Sequence, residues 1–243
     1  MEPYYKNELT TIYNGDCLEV MDYLIEQGIK VDLVCIDPDY EVTKRGNGGN
    51  AGGMMQKKEV HKGSMFVTNQ LDIKDWLPKL IELMKDDTQF YIFTNDKNLN
   101  YYLTTLKEFG LKIYKNLVWV KDNKIMGKYY MTQKEYIIFG RKKDEKVIND
   151  CGTSDILMFP NIKDKNHLGD NHNDTEKPLE LGELLIKNST KENELVLDIM
   201  CGTGTFNVGS QRTNRKSIGI DIRESQCKRT KWRLQNIQTR LDI

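Results

Sequence analysis

The constraint that narrows the fold most is a repeated alternation. VDLVCID (31–37) and QFYIFT (89–94) are short apolar runs rather than alternating ones, and ELVLDIM (194–200) and KSIGIDI (216–222) read as further strands. Strands of that kind are covered on both faces, so the sheet that holds them must lie between layers of helices. The intervening segments supply those helices. IKDWLPKLIELM (73–84) spaces Trp76, Leu80, Leu83 and Met84 at helical intervals, with Pro78 leaving the start of the helix open. Further helices are expected near 97–109, over KPLELGELLIKN (177–188) with Leu181, Leu184 and Leu185 on one side, after Gly204, and over 224–239. Strand material at 111–120 and EYIIFG (135–140) completes an α/β fold with a largely parallel sheet. The stretch from about 144 to 176 reads as polar and mostly irregular.

At 243 residues the chain suits one sizeable domain. The start, MEPYYKNEL, lacks the basic and apolar regions of a signal peptide. No apolar run approaches the roughly 18 residues of a membrane span, so no membrane partner is expected. Five scattered cysteines without a CxxC pair, and three histidines, support neither disulfides nor a metal site, and a reducing cytoplasm is the expected setting. Basic and acidic residues number 36 each, so a nucleic-acid partner needs a local basic face. One candidate runs from Lys121 to Lys146, with eight positive residues against four negative; a solvated face is the other reading. RGNGGNAGGMM (45–55), with five glycines, is either a surface loop or a mobile lid five residues beyond Tyr40.

The sharpest local signal is LVLDIMCGTGTF (195–206). An apolar strand ends in Asp198, and Gly202 and Gly204 make a tight turn into a helix. In open α/β sheets ligands sit outside the carboxyl ends of strands, where this loop lies. Asp221 ends the next strand about twenty residues on, placed to accept hydrogen bonds from both hydroxyls of a ribose. A dinucleotide fingerprint would carry a third glycine where Asn207 stands. A nucleoside cofactor without a pyrophosphate has less need of that close approach, and S-adenosyl-L-methionine fits. The bland alternative is a strand–helix turn with acidic caps.

Four segments, in this order, resemble the β-group of amino-methylating DNA methyltransferases, which act on N6 of adenine or N4 of cytosine. NGDCLEVM (14–21) is similar to that family's GDCL segment, which implies that Asp16, with Cys17 beside it, approaches the cofactor's adenine. DPDY (37–40) stands where the catalytic DPPY is found. TEKPLELGELLI (175–186) looks like the family's TQKP helix near the methionine end, pointing to Lys177 and Pro178. DIMCGTGT (198–205) is close to the D-x-F-x-G-[ST]-G-T segment, with Met200 in place of phenylalanine and Thr205 closing it. The resemblance implies a Rossmann-like fold, a mostly parallel seven-stranded sheet with one reversed strand, as a single permuted domain over 1–243. Target-recognition elements are then expected within 41–65 and 121–174. It also implies double-stranded DNA as the partner and allows a homodimer; no residue pattern points to a restriction partner.

That resemblance assigns chemistry to CIDPDYEV (35–42). An exocyclic amine on adenine is a poor nucleophile because its lone pair is delocalised into the ring. In the family, the side chain of the first aspartate and the following proline carbonyl accept its two hydrogens; here these are Asp37 and Pro38. Methyl transfer from a sulfonium then depends on in-line positioning more than on acid–base help. The base must be flipped out of the duplex, and Tyr40 is the stacking platform. An initial Asp rather than Ser favours adenine N6, by resemblance. Asp39 replaces a second proline, giving up stiffness and adding negative charge near DNA. An N4-cytosine or RNA methyltransferase is the alternative enzyme, and a catalytically weak or silent DNA-binding scaffold the alternative of another class.

Overall fold

The computed structural model describes residues 1–38, 71–125, 129–161 and 176–237. Among them nine strands form one sheet: β1 (Tyr5–Lys6), β2 (Thr10–Asn14), β3 (Val31–Ile36), β4 (Met84–Thr94), β5 (Lys112–Ile125), β6 (Thr132–Arg141), β7 (Ile156–Met158), β8 (Leu195–Asp198) and β9 (Lys216–Asp221). Six helices accompany them: α1 (Cys17–Glu26), α2 (Ile73–Leu83), α3 (Leu99–Glu108), α4 (Leu179–Ser189), α5 (Thr205–Arg212) and α6 (Glu224–Gln235). The strand order is β1-β2-β9-β8-β3-β4-β6-β5-β7.

Seven of these strands, β2 through β5 in that order, form the expected sheet. Their pairings are parallel except that β6 runs against both β4 and β5. The short β1 and β7 extend it at the two edges, β1 antiparallel to β2 and β7 parallel to β5. β7 falls inside the stretch expected to be irregular; its three residues ILM find a ready edge at Val118 to Val120.

Successive residues of β3 feed opposite layers, as a doubly covered strand requires. Val34 and Ile36 pack with Val20, Met21 and Leu24 of α1, Trp76 and Leu80 of α2, and Leu106 of α3. Leu33 and Cys35 pack with Leu181, Leu185 and Ile186 of α4 and Phe206 of α5. The helix with the open start begins at Ile73, where Asp72 and Asp75 form a reciprocal capping box. Pro78 sits inside it on the exposed side; burial of Trp76, Leu77 and Leu80 holds the helix through that interruption. The β5–β6 hairpin runs beyond the 111–120 and 135–140 segments, because the polar residues on each side continue the antiparallel pairing to Ile125 and Thr132.

Candidate functional site

The sheet order puts four acidic residues in a row at one edge. Asp16 follows β2, Asp221 ends β9, Asp198 ends β8 and Asp37 follows β3. Neighbouring strands lie about 4.8 Å apart, so the row spans roughly 15 Å. β8 leads through α5 to β9 on one side, while β3 leads to β4 on the other. Chain direction across the sheet thus reverses between Asp198 and Asp37, the place where open α/β sheets leave a crevice.

The glycine turn fills the middle of the row. Gly202 has φ of +52° and Gly204 of +77°, a region that side chains with a Cβ rarely enter. Gly204 is constrained twice, since a Cβ there would lie 2.3 Å from Thr230 Cγ2. Thr230, from α6, also donates its hydroxyl to the Gly202 carbonyl at 2.9 Å. The missing third glycine has its counterpart on the sheet. A Cβ at Gly219 in β9 would meet the Asn207 side chain at 2.6 Å, so α5 approaches β9 closely with the small residue on the strand.

Asp198 is buried and accepts the Met200 N–H at 3.1 Å. Burial, reinforced by the charges of Asp37 and Asp221, pushes its carboxyl well above the usual range. Asp221 accepts the Gly202 N–H at 2.8 Å and the Arg223 N–H at 2.9 Å. The Arg223 guanidinium also donates to it, Nε at 3.1 Å and Nη2 at 3.3 Å. A ribose meeting Asp221 therefore has to displace the Arg223 side chain. Asp16 caps α1, accepting the Leu18 N–H at 2.8 Å. Cys17 is buried beneath that cap, and burial pushes its thiol up to about 11.

Asp37 is gripped by the ammonium of Lys177, which reaches it from the segment before α4. Lys177 also lies 3.4 Å from Glu135 Oε2, and Glu135 Oε1 pairs with Lys121. Four charges of alternating sign thus run from β5 through β6 to the end of β3, with Lys121 and Lys177 both buried. Thr205 donates its hydroxyl to the Lys177 carbonyl at 3.2 Å, tying that segment to the start of α5.

These pieces enclose a cleft with about 440 Å³ of empty space, open to solvent. Of the residues singled out from sequence, Asp37, Lys177, Asp198, Met200, Gly202 and Thr205 line it. Gly204 and Asp221 stand behind the turn, and Pro38 and Pro178 adjoin lining residues. Asp16 and Cys17 are farther along the sheet edge. Tyr40 and Asp39 lie outside the described residues, as do the glycine patch at 45–55 and the whole of 41–65. The cleft also takes in Glu176, Cys201, Thr203, Phe206 and Arg223.

The sequence matches the DNA methylase family of N6/N4 type over residues 31–231. The chain belongs to that family. It is similar to the type II methyltransferase M2.LlaDCHI of Lactococcus lactis subsp. cremoris, at 27% identity over 96% of this chain and 92% of the relative. It is also similar to M2.DpnII of Streptococcus pneumoniae, at 26% identity over 96% of this chain and 92% of that one. Among solved structures, the M1.HpyAVI–SAM complex matches with a TM-score of 0.72 at 23% identity, covering 94% of this chain and all 100% of the other. The cytosine-N4-specific PvuII DNA methyltransferase matches at 0.73 with 16% identity, covering 98% and 91%. At such identities the two structures establish a shared fold.

S-adenosylmethionine is the methyl donor of this DNA methylase, and the site suits it. Within the cleft, the buried Oε2 of Glu176 has no hydrogen-bond partner among the described residues, an acceptor left for a ligand.

Several members of the candidate site carry no mark in the sequence. Glu176 was visible within TEKP, but nothing local marks it as buried. Glu135, Thr230 and Arg233 come from distant strands and helices and carry no motif. The basic stretch from Lys121 to Lys146 is not a single face. Lys121 pairs with Glu135 and Lys134 with Asp96, near the cleft edge. Lys142 and Lys143 pair with Asp86, and Lys146 with Glu194, at the other end of β6. Seven residues of extended strand, at about 3.4 Å each, separate the two groups. Near the cleft edge the hairpin also exposes aromatic rings, beside Asp122, Asn123 and Lys124: Tyr129 is 85% and Tyr130 93% exposed, followed by Met131.

Proposed function

We propose that the methylase modifies N6 of an adenine turned out of double-stranded DNA. The observation that carries this reading is Asp37 on the wall of the donor cleft, one strand away from Asp198. Its carboxylate accepts one hydrogen of the adenine amine, and the Pro38 carbonyl accepts the other. That draws the nitrogen toward tetrahedral geometry and localises its lone pair. Lys177 fixes the plane of the Asp37 carboxylate, and Glu135 holds Lys177 in turn. Tyr40 is assigned to stack on the flipped base, returning on the order of 1–3 kcal/mol against the cost of unstacking.

S-adenosylmethionine supplies an electrophilic methyl carbon on a sulfonium. The residues that would hold it are Asp16 with Cys17 at the adenine, Asp221 at the ribose, the turn from Met200 through Gly202 and Gly204 to Thr205, and Lys177 with Pro178 toward the methionine end. Asp198 keeps the turn in place through Met200. The preference for adenine over cytosine rests on the aspartate that opens DPDY. Among the described residues of 121–174, the exposed tip at Tyr129 to Met131 is suited to touch DNA, since aromatic rings contact bases without requiring net charge; 126–128 and 162–174 lie outside the described residues.

The deciding experiment incubates the protein with tritiated donor and unmethylated DNA or RNA, then separates the nucleosides. Label in N6-methyladenine from duplex DNA supports the proposal. Label in N4-methylcytosine or in RNA replaces it with the alternative enzyme. Donor binding without label in any nucleic acid favours the silent scaffold.

A further inference from the structure

Glu176 is a buried carboxylate, 6% exposed, on the wall of the cleft. Arg233 of α6 stands behind it, with Nη2 3.4 Å from Oε1. The same guanidinium donates from Nη1 to the Thr203 carbonyl at 2.9 Å, so Glu176 is held over the glycine turn. Its other oxygen, Oε2, is buried with no hydrogen-bond partner among the described residues. Neighbouring Lys177 turns its ammonium to Asp37 and Glu135. Buried polar atoms are ordinarily satisfied, and a carboxylate oxygen without a donor is among the most costly exceptions.

We propose that Glu176 binds the α-ammonium of S-adenosylmethionine. This rests on the donor placement given above. With ribose at Asp221 and the methyl carbon facing Asp37, the amino-acid tail lies over the turn that Glu176 overhangs. The ammonium is the donor's only cationic group with hydrogens to give; the sulfonium has none. A charge-assisted bond there satisfies Oε2 and adds a second cation to a carboxylate already beside Arg233. The residue thus selects ligands by their amino group, independently of the methyl group.

Calorimetric titration with three ligands tests this: S-adenosylmethionine, S-adenosylhomocysteine, and S-adenosylhomocysteine with hydrogen in place of its amino group. Glu176→Gln keeps the shape of the side chain and a carbonyl for Arg233, and thermal melting checks that it folds. The variant should lose about tenfold or more in affinity for the first two ligands. It should bind the deaminated analogue within about twofold of wild type. Equal losses for all three ligands overturn the inference in favour of a structural role, and unchanged affinity for all three overturns it outright. Wild type that binds none of the three instead overturns the reading of the cleft as a donor site.

Discussion

Replacing Glu135 with glutamine tests the electrostatic frame behind the cleft. The side chains of Lys121 and Lys177 are 7% exposed and that of Glu135 17%. Glutamine would leave Lys177 with the carboxylate of Asp37 but take from buried Lys121 the carboxylate it pairs with. Removing one partner of a buried pair costs about 3–5 kcal/mol. The glutamine carbonyl still accepts a hydrogen bond, and Lys121 keeps its position 4.6 Å from the Trp119 ring. The lower end, about 3 kcal/mol, is therefore expected in urea unfolding at neutral pH. A second substitution separates stranded charge from lost packing. Lys121→Met removes a cation that Glu135 would leave behind, so the double variant should be at least about 1 kcal/mol more stable than the sum of the single costs. The pH dependence has a definite sign. Burial raises the Glu135 carboxyl, but Lys177 and Lys121 together outweigh it and hold it below its ordinary 4.5. A lowered folded value means a contribution complete above the unfolded value and lost as pH falls through the folded one. The gap between wild type and Glu135→Gln should stay level near neutrality and narrow as pH drops below about 4.5. Costs that simply add in the double variant, or a gap that persists in strong acid, refute the stranded-charge reasoning.

Asp37→Ala should abolish methyl transfer while calorimetry shows donor binding largely intact; undiminished transfer removes Asp37 from the mechanism. Gly204→Ala adds about 1–2 kcal/mol of backbone strain at φ +77° to a clash with Thr230. Denaturant unfolding should thus lose more than about 2 kcal/mol, and wild-type stability would show that the turn is not confined as described. Arg223→Ala frees the acceptor sites of Asp221 and should tighten donor binding, whereas weaker binding would make Arg223 a donor contact itself. Replacing Tyr129 and Tyr130 together with alanine should weaken duplex binding in fluorescence anisotropy by roughly tenfold and leave donor affinity unchanged. Unaltered DNA binding would move the recognition surface elsewhere.

Elements whose cause is local were legible. VDLVC and LVLD read as strands because a strand covered on both faces is apolar at most of its positions. Gly202 and Gly204 read as a turn because only glycine enters that backbone region cheaply, and the structure places positive φ at both. Pro78 obscured the start of α2 because its cost is local, while the capping box and the buried Trp76 that override it act through partners. The eight basic residues misled for the opposite reason. Counting charges along the chain takes no account of the strand that carries them past Asp96 at one end and Asp86 at the other.

By itself the sequence determined which residues can do chemistry here: the acidic strand ends, the glycine turn and the DPDY segment. Their types and immediate neighbours are covalent facts. Only the tertiary structure decided their arrangement. Chain order 16, 37, 198, 221 becomes spatial order 16, 221, 198, 37, because sheet order is set by pairing between strands far apart in sequence. The same long-range packing buries Glu176 against Arg233, threads Lys177 between Asp37 and Glu135, and lays Arg223 across Asp221. Such contacts depend on which surfaces meet after the sheet has formed, and no spacing along the chain encodes them.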